Sequence, residues 1–138
     1  MKTLPPMALC PCGRARGKKP LAYAQCCGRF LDGDTPAPDA ESLMRSRYSA
    51  FVLERAAYLL HTWHPDKRPA SIEFEPGVKW LGLEVRDAVQ RDACHAEVEF
   101  VARQKPASGA AVRLHERSRF EAQDGRWVYV DAVIWPIL

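Results

Sequence analysis

The sequence predicts an α+β fold, with helices packed on a curved antiparallel sheet and a small cysteine-rich segment in front of them. Three observations carry that prediction. The hydrophobic period is helical over residues 39–64 and becomes two beyond Gly77. The second half divides into four long alternating runs separated by hairpin-like breaks. Four of the five cysteines fall between residues 10 and 27.

Residues 1–30 form a Cys/Gly/Lys/Arg-rich head with little apolar surface of its own, and Leu31–Pro38 is a Gly/Asp/Pro connector. The first helix is signalled by Asp39 as N-cap and Glu41 in the first turn, where the helix dipole favours an anion. Leu43, Met44, Tyr48, Phe51 and Val52 then recur at helical spacing. A second helix follows Glu54 with Tyr58, Leu59, Leu60 and Trp63 apolar. It stops before Pro65, whose ring disfavours helix at His64. Pro65–Pro76 is the second connector, with three prolines.

The alternating runs are Leu81/Leu83/Val85, then Ala96/Val98/Phe100/Ala102, then Val112/Leu114/Phe120, then Val128/Val130/Ala132/Ile134. They break at Arg91-Asp92, Lys105 to Gly109 and Asp124-Gly125. Two helices and a four-stranded meander bury their apolar sides by laying the helices across one concave sheet face, an arrangement that tends to enclose a pocket. The expected division is therefore residues 1–30 as a metal-binding segment and 39–138 as the α+β body.

At 138 residues and 47% hydrophobic composition the chain supports one core. Its net charge of +3 is uneven: residues 1–34 hold six basic side chains against Asp32 and Asp34, while the remainder is close to balanced. Four metal-bound thiolates would reduce the head's charge further, so a strong nucleic-acid reading fails. The N-terminus reaches cysteine and charge before a signal-peptide apolar run develops, and no stretch approaches the ~18 apolar residues of a membrane span. The expected location is the cytoplasm, where thiols stay reduced and clustered cysteines point to metal or redox chemistry.

Cys10-Pro11-Cys12-Gly13 and Cys26-Cys27-Gly28 offer four soft ligands, with a glycine after each pair where a tight turn needs positive φ. One structural Zn²⁺ fits this set, and its binding free energy of ~10–16 kcal/mol would fold a segment that has no core of its own. Free thiols, a catalytic dithiol and an unusual disulfide are the alternatives. The tight Cys-x-Cys spacing and the adjacent pair Cys26-Cys27 depart from the common knuckle. Cys94, beside His95, stands apart as a small half-buried side chain.

Together with these cysteines, the blocks Met44-Arg45-Ser46-Arg47-Tyr48, Thr62-Trp63-His64-Pro65, Trp80-Leu81-Gly82-Leu83, Phe100-Val101-Ala102-Arg103, His115-Glu116-Arg117-Ser118-Arg119-Phe120 and Gly125 to Asp131 resemble the bacterial YchJ-like family. Its members begin with a SEC-C motif, the zinc module also found at the end of the SecA translocation ATPase. The resemblance implies a nuclear-transport-factor-2-like (cystatin-like) cone for the body and carries no reaction with it. Two departures from the pattern stand out. The spacer from Cys12 to Cys26 is longer than in the SEC-C pattern, with Arg14-Ala15 in place of Ser-Gly, and the chain ends at Trp135 to Leu138 with no second motif.

Within the body, parity puts Val112, Leu114, Glu116, Ser118 and Phe120 on one face, which must be the inner one. Glu116 then needs a partner, and Arg45 or Arg47 from the first helix is the expected one, as a structural pair or as part of a pocket that also takes in Trp63. His64 is a helix-end cation or a general base, and Asp131 is expected to face outward. No triad, phosphate loop or paired-carboxylate motif is present, and the catalytic residues are left unassigned. Two functional classes remain. One is a zinc-anchored interaction or adaptor protein whose basic head docks on another protein or a ribosomal surface, with a possible homodimer through the sheet. The other is a small-molecule binder or enzyme using the cone cavity around Glu116.

Overall fold

The computed structural model describes residues 2–134; the last four positions of the expected 39–138 body, and the Trp135 to Leu138 end, lie outside the described residues. The head contains a two-stranded hairpin, β1 (Ala15–Arg16) and β2 (Lys19–Pro20), a 3₁₀ turn at Tyr23–Gln25 and a short helix α1 (Gly28–Leu31). Helices α2 (Ala40–Val52) and α3 (Ala56–His61) follow. The antiparallel meander comprises β3 (Lys79–Gln90), β4 (His95–Lys105), β5 (Val112–Gln123) and β6 (Arg126–Ile134), paired in that order.

Asp39 caps α2 as expected, its side chain accepting from the Ser42 amide at 2.7 Å. The helix ends in a way the sequence hid. Glu54 adopts φ +55, and the Arg55 and Glu54 amides return to the Ala50 and Phe51 carbonyls, a Schellman closure with glutamate where glycine is usual. Asp124 and Gly125, both at positive φ, make the two-residue turn between β5 and β6.

The inner face of the sheet follows parity on β4 and β5, where Ala96, Val98, Phe100, Ala102, Ser118 and Phe120 are buried. Register slips interrupt it in β3, at Trp80/Gly82 and Val85/Asp87, and in β6. In β3 the register slips between Trp80 and Gly82, with Gly82 at φ +140, so Trp80 turns inward with Leu83 and Val85 while Leu81 is 49% exposed. Leu81 therefore leaves the face that simple alternation assigned to it. In β6 the slip opposite Arg119/Phe120 brings Trp127 and Tyr129 to the core side and turns Asp131 outward. Asp131 does face outward as expected, but the bulge causes it, because unbroken alternation would leave Asp131 on the face of Trp127 and Tyr129.

The head is built into the same core as the body. Cys10, Cys12, Tyr23, Cys26 and Cys27 form one buried cluster with residues of α2 and the sheet, among them Leu43, Met44 and Tyr48. Polar bonds reinforce the junction: Arg45 donates to the Cys12 carbonyl, Arg14 to the Ser42 hydroxyl, and buried Arg55 to both the Lys2 carbonyl and Asp32. The convex face of the sheet carries a paired charge network, in which Arg117 meets Asp87, Glu97 and Glu99, and Arg119 forks onto Asp131. No described helix is long and apolar enough to cross a membrane.

Candidate functional site

Among the described residues, the cysteine cluster and a cavity between α2 and the concave sheet face can both carry chemistry. In the first, the Sγ atoms of Cys10, Cys12, Cys26 and Cys27 all lie within 4.8 Å of one another and are buried, with Cys12 and Cys26 3.6 Å apart. A tetrahedral tetrathiolate site with metal–sulfur bonds of ~2.3 Å has sulfur–sulfur edges of ~3.8 Å, so the Cys12–Cys26 pair stands at that spacing and the whole set is close enough to close on one ion.

Local backbone explains how such crowded ligands converge. Gly13, at φ +74, closes the turn in which its amide bonds the Cys10 carbonyl, bringing both members of Cys-x-Cys to one side. Cys26 leaves the 3₁₀ turn with ψ −117 and Cys27 is already helical, so adjacent residues send their sulfurs to one point. Gly28 has a different role from a positive-φ turn: a Cβ there would lie 2.7 Å from the Tyr23 carbonyl, so only glycine passes.

Within the cluster, hydrogen bonds from Cys12, Cys26 and Cys27 hold the Cys10 thiol well below the usual range, while its bonds push Cys12 and Cys27 up. Four buried thiols so close cannot all ionise unless a cation joins them, and a divalent metal is the cation that this donor set fits. Among the described residues this is the one group of three or more His, Cys, Asp or Glu placed to hold an ion. Cys94 is exposed and apart from it.

The second feature is a cavity of about 460 Å³. Of the body residues singled out from sequence, Glu116, Ser118, Arg47 and Trp63 line it, and Arg45 and His64 do not. Arg45 faces the head, bonding Glu41 and the Cys12 carbonyl. His64 lies three residues past the end of α3, where its Nδ1 accepts from the Asp66 amide and its Nε2 faces Glu121 and Gln123.

The expected Glu116–arginine pair does not form. Among the described residues Glu116 makes no hydrogen bond or ion pair, and burial alone pushes its carboxyl above the usual range. Arg47 spends its guanidinium elsewhere. Nη1 donates to the Leu59 carbonyl at 2.8 Å and the Thr62 hydroxyl at 2.7 Å, and the group stacks over Trp63 and Tyr129 at 5.1 and 4.7 Å. The end of α3 offers Arg47 the Leu59 carbonyl and the Thr62 hydroxyl within hydrogen-bond reach, and the inward swing of Tyr129 supplies a ring. Burial lowers Arg47 to about 10, which leaves it charged at neutral pH.

Aromatic residues that the sequence did not mark as site residues also line the cavity. Tyr48, Phe51 and Trp80 form edge-on and tilted ring contacts, with Phe74 from the second connector against Phe51. Trp80 reaches them because of the β3 bulge, which no residue pattern announces. Arg55 was missed as well. As a lone basic residue between two helices it reads as solvated, yet it clamps residues 2 and 32 to the helical layer.

The model of a known domain described as "YchJ, middle NTF2-like domain" matches residues 39–132. A "UPF0225 protein" of Polaromonas sp. strain JS666 is 70% identical over 129 residues, covering 91% of this chain and 93% of that relative. A counterpart in Streptomyces coelicolor is 49% identical over 91% of this chain. Among solved structures, a SEC-C motif containing protein from Rhodopseudomonas palustris superposes with a TM-score of 0.77 at 31% identity, over 94% of this chain and all of that one. Another from Psychrobacter arcticus gives 0.74 at 30% identity, over 96% and 86%.

Proposed function

The chain belongs to the YchJ-like UPF0225 family, and from that premise we propose that it is a zinc-stapled cone that binds a small molecule between α2 and the sheet. Structural zinc sits on Cys10, Cys12, Cys26 and Cys27, in a head of residues 1–30 serving a body of residues 39–138. Zinc is favoured over other ions by the all-thiolate, buried and closed donor set. Such a site needs reduced cysteines, which supports a cytoplasmic setting. The metal would lock the turn and α1 into a single geometry; no reaction is assigned to it.

The observation that carries the binding reading is the open cavity. Its aromatic walls and volume of about 460 Å³ are those of a ligand site, whereas a purely structural cone would be filled by Trp63, Phe100 and Phe120. A neutral aromatic probe, indole, should saturably shift the amide resonances of Ala102, Leu114 and Ser118 on the inner strands and leave the β1–β2 hairpin unmoved. An absence of shifts, or shifts confined to the hairpin, would remove this reading.

An adaptor role for the head has separate support. Arg16, Lys18 and Lys19 are exposed on the hairpin, and Met7 and Leu9 are 80% and 64% exposed. A basic rim beside apolar side chains suits an acidic protein or ribosomal surface. A homodimer through the sheet has less in its favour, because the convex face is occupied by mutually paired charges.

A further inference from the structure

Resting on the reading of the cone as a small-molecule site, we propose that its ligand is an organic cation: an ammonium group seated at Glu116 and Ser118, on an apolar body held by the aromatic walls. Three independent features of the cavity point to that class.

The first is a pair of unpartnered polar groups on neighbouring inward positions of β5. Ser118 is only 2% exposed and lines the cavity, and its hydroxyl makes no hydrogen bond among the described residues; the Glu116 carboxyl, two residues away, likewise has no hydrogen-bond or ion-pair partner there. A half-buried carboxylate and a buried hydroxyl left open toward a cavity are complementary to a donor that brings positive charge. The second is charge balance. Four acidic side chains, Glu54, Glu73, Glu75 and Glu116, line the cavity against Lys2 and Arg47. Lys2 is paired with Glu54 at 3.2 Å, which leaves Glu73, Glu75 and Glu116 against the single charge of Arg47, so the field offered to a ligand is negative. The third is the ring cluster of Tyr48, Phe51, Phe74 and Trp80, whose faces accept apolar bulk and attract cations.

An anion would meet exposed Glu73 and Glu75 in the cavity lining, and the one interior guanidinium, though still charged, is drawn toward the Leu59 carbonyl, the Thr62 hydroxyl and two rings. A neutral ligand would leave Glu116 desolvated and unsatisfied. An ammonium offsets that burial, which is also what pushes the Glu116 carboxyl upward in its absence.

Benzylamine, benzyl alcohol and phenylacetate share a body and differ in the charge of one group. Their affinities for the full-length, metal-loaded chain can be measured through tryptophan fluorescence, since Trp63 and Trp80 both line the cavity. Benzylamine should bind at least about tenfold tighter than benzyl alcohol, as a charged hydrogen bond in a partly buried site implies, with phenylacetate weakest. Glu116→Gln should bring benzylamine to the level of the alcohol. The inference is overturned if the alcohol or phenylacetate equals or exceeds the amine, or if the preference survives Glu116→Gln. The ranking on the unaltered chain tests it even without the variant. If none of the three binds, the small-molecule reading itself fails; if benzyl alcohol binds and the amine gains nothing, only the cation assignment does.

Discussion

Removing the metal should unfold the body together with the head. The sheet signal in far-UV circular dichroism is expected to melt in one transition that falls well below that of the metal-loaded chain, and Cys12→Ser should do the same without chelator. Composition alone suggests the opposite, since Leu31–Pro38 offers little surface for docking and the head reads as a separable appendage. Packing decides otherwise. Cys10, Cys12, Cys26 and Cys27 share a core cluster with Leu43, Met44 and Tyr48 of α2, and α2 is the layer that covers the sheet. Arg14, Arg45 and Arg55 each span the junction with hydrogen bonds, and the Lys2 amide bonds the Leu53 carbonyl. A thiolate zinc site contributes ~10–16 kcal/mol to the folded state, comparable with the ~5–15 kcal/mol by which an ordinary domain is stable. Losing it should therefore be felt along the whole chain. A sheet that melts at the same temperature with and without chelator would show that the junction bonds transmit nothing.

Arg47→Ala should destabilise the chain by about 2–4 kcal/mol in urea denaturation, the largest effect expected from a side chain outside the cysteines. The guanidinium joins three elements. It belongs to α2, bonds the Leu59 carbonyl and Thr62 at the end of α3, and packs against the rings of Trp63 and Tyr129. Truncation leaves a buried carbonyl without its donor, widens the cavity and removes the cation from both rings, which sit 5.2 Å apart edge to face. Arg47→Lys keeps the charge and cannot reproduce the fork, so it should fall between the parent and alanine. A change below about 0.5 kcal/mol for alanine would mean that the contacts of Arg47 are incidental to folding.

Much of the fold was legible because one-dimensional periodicities fix it. The Asp39 cap, the helical spacing from Leu43 to Tyr48 and the alternation through β4 and β5 each depend on neighbours in sequence, and the structure follows them. Leu81 shows where that reasoning stops. A single bulge at Gly82 reverses parity, and glycine marks the opportunity without announcing the direction. The bulge in β6 is harder to see, since nothing in Val130 or Asp131 signals it, yet it turns Tyr129 into the cavity and so gives Arg47 its ring.

The candidate site divides in the same way. Proximity of the four cysteines is a local property of two turns and could be read directly. The inward direction of Glu116 and Ser118 followed from strand parity. What could not be read was which side-chain partner wins: Arg45 and Arg47 differ by two positions on one helix, and the head covers one side while α3 covers the other. Each guanidinium is claimed by the element nearest to it, and Glu116 is left to the cavity.

One metal ion on four thiolates is expected to be part of the chain's folded core. X-ray absorption at the zinc edge of the purified, reduced full-length protein should find about one zinc per chain with four sulfur neighbours at ~2.3 Å. Nitrogen or oxygen in the first coordination sphere, or metal-free protein in which residues 10–28 keep their structure, would contradict it.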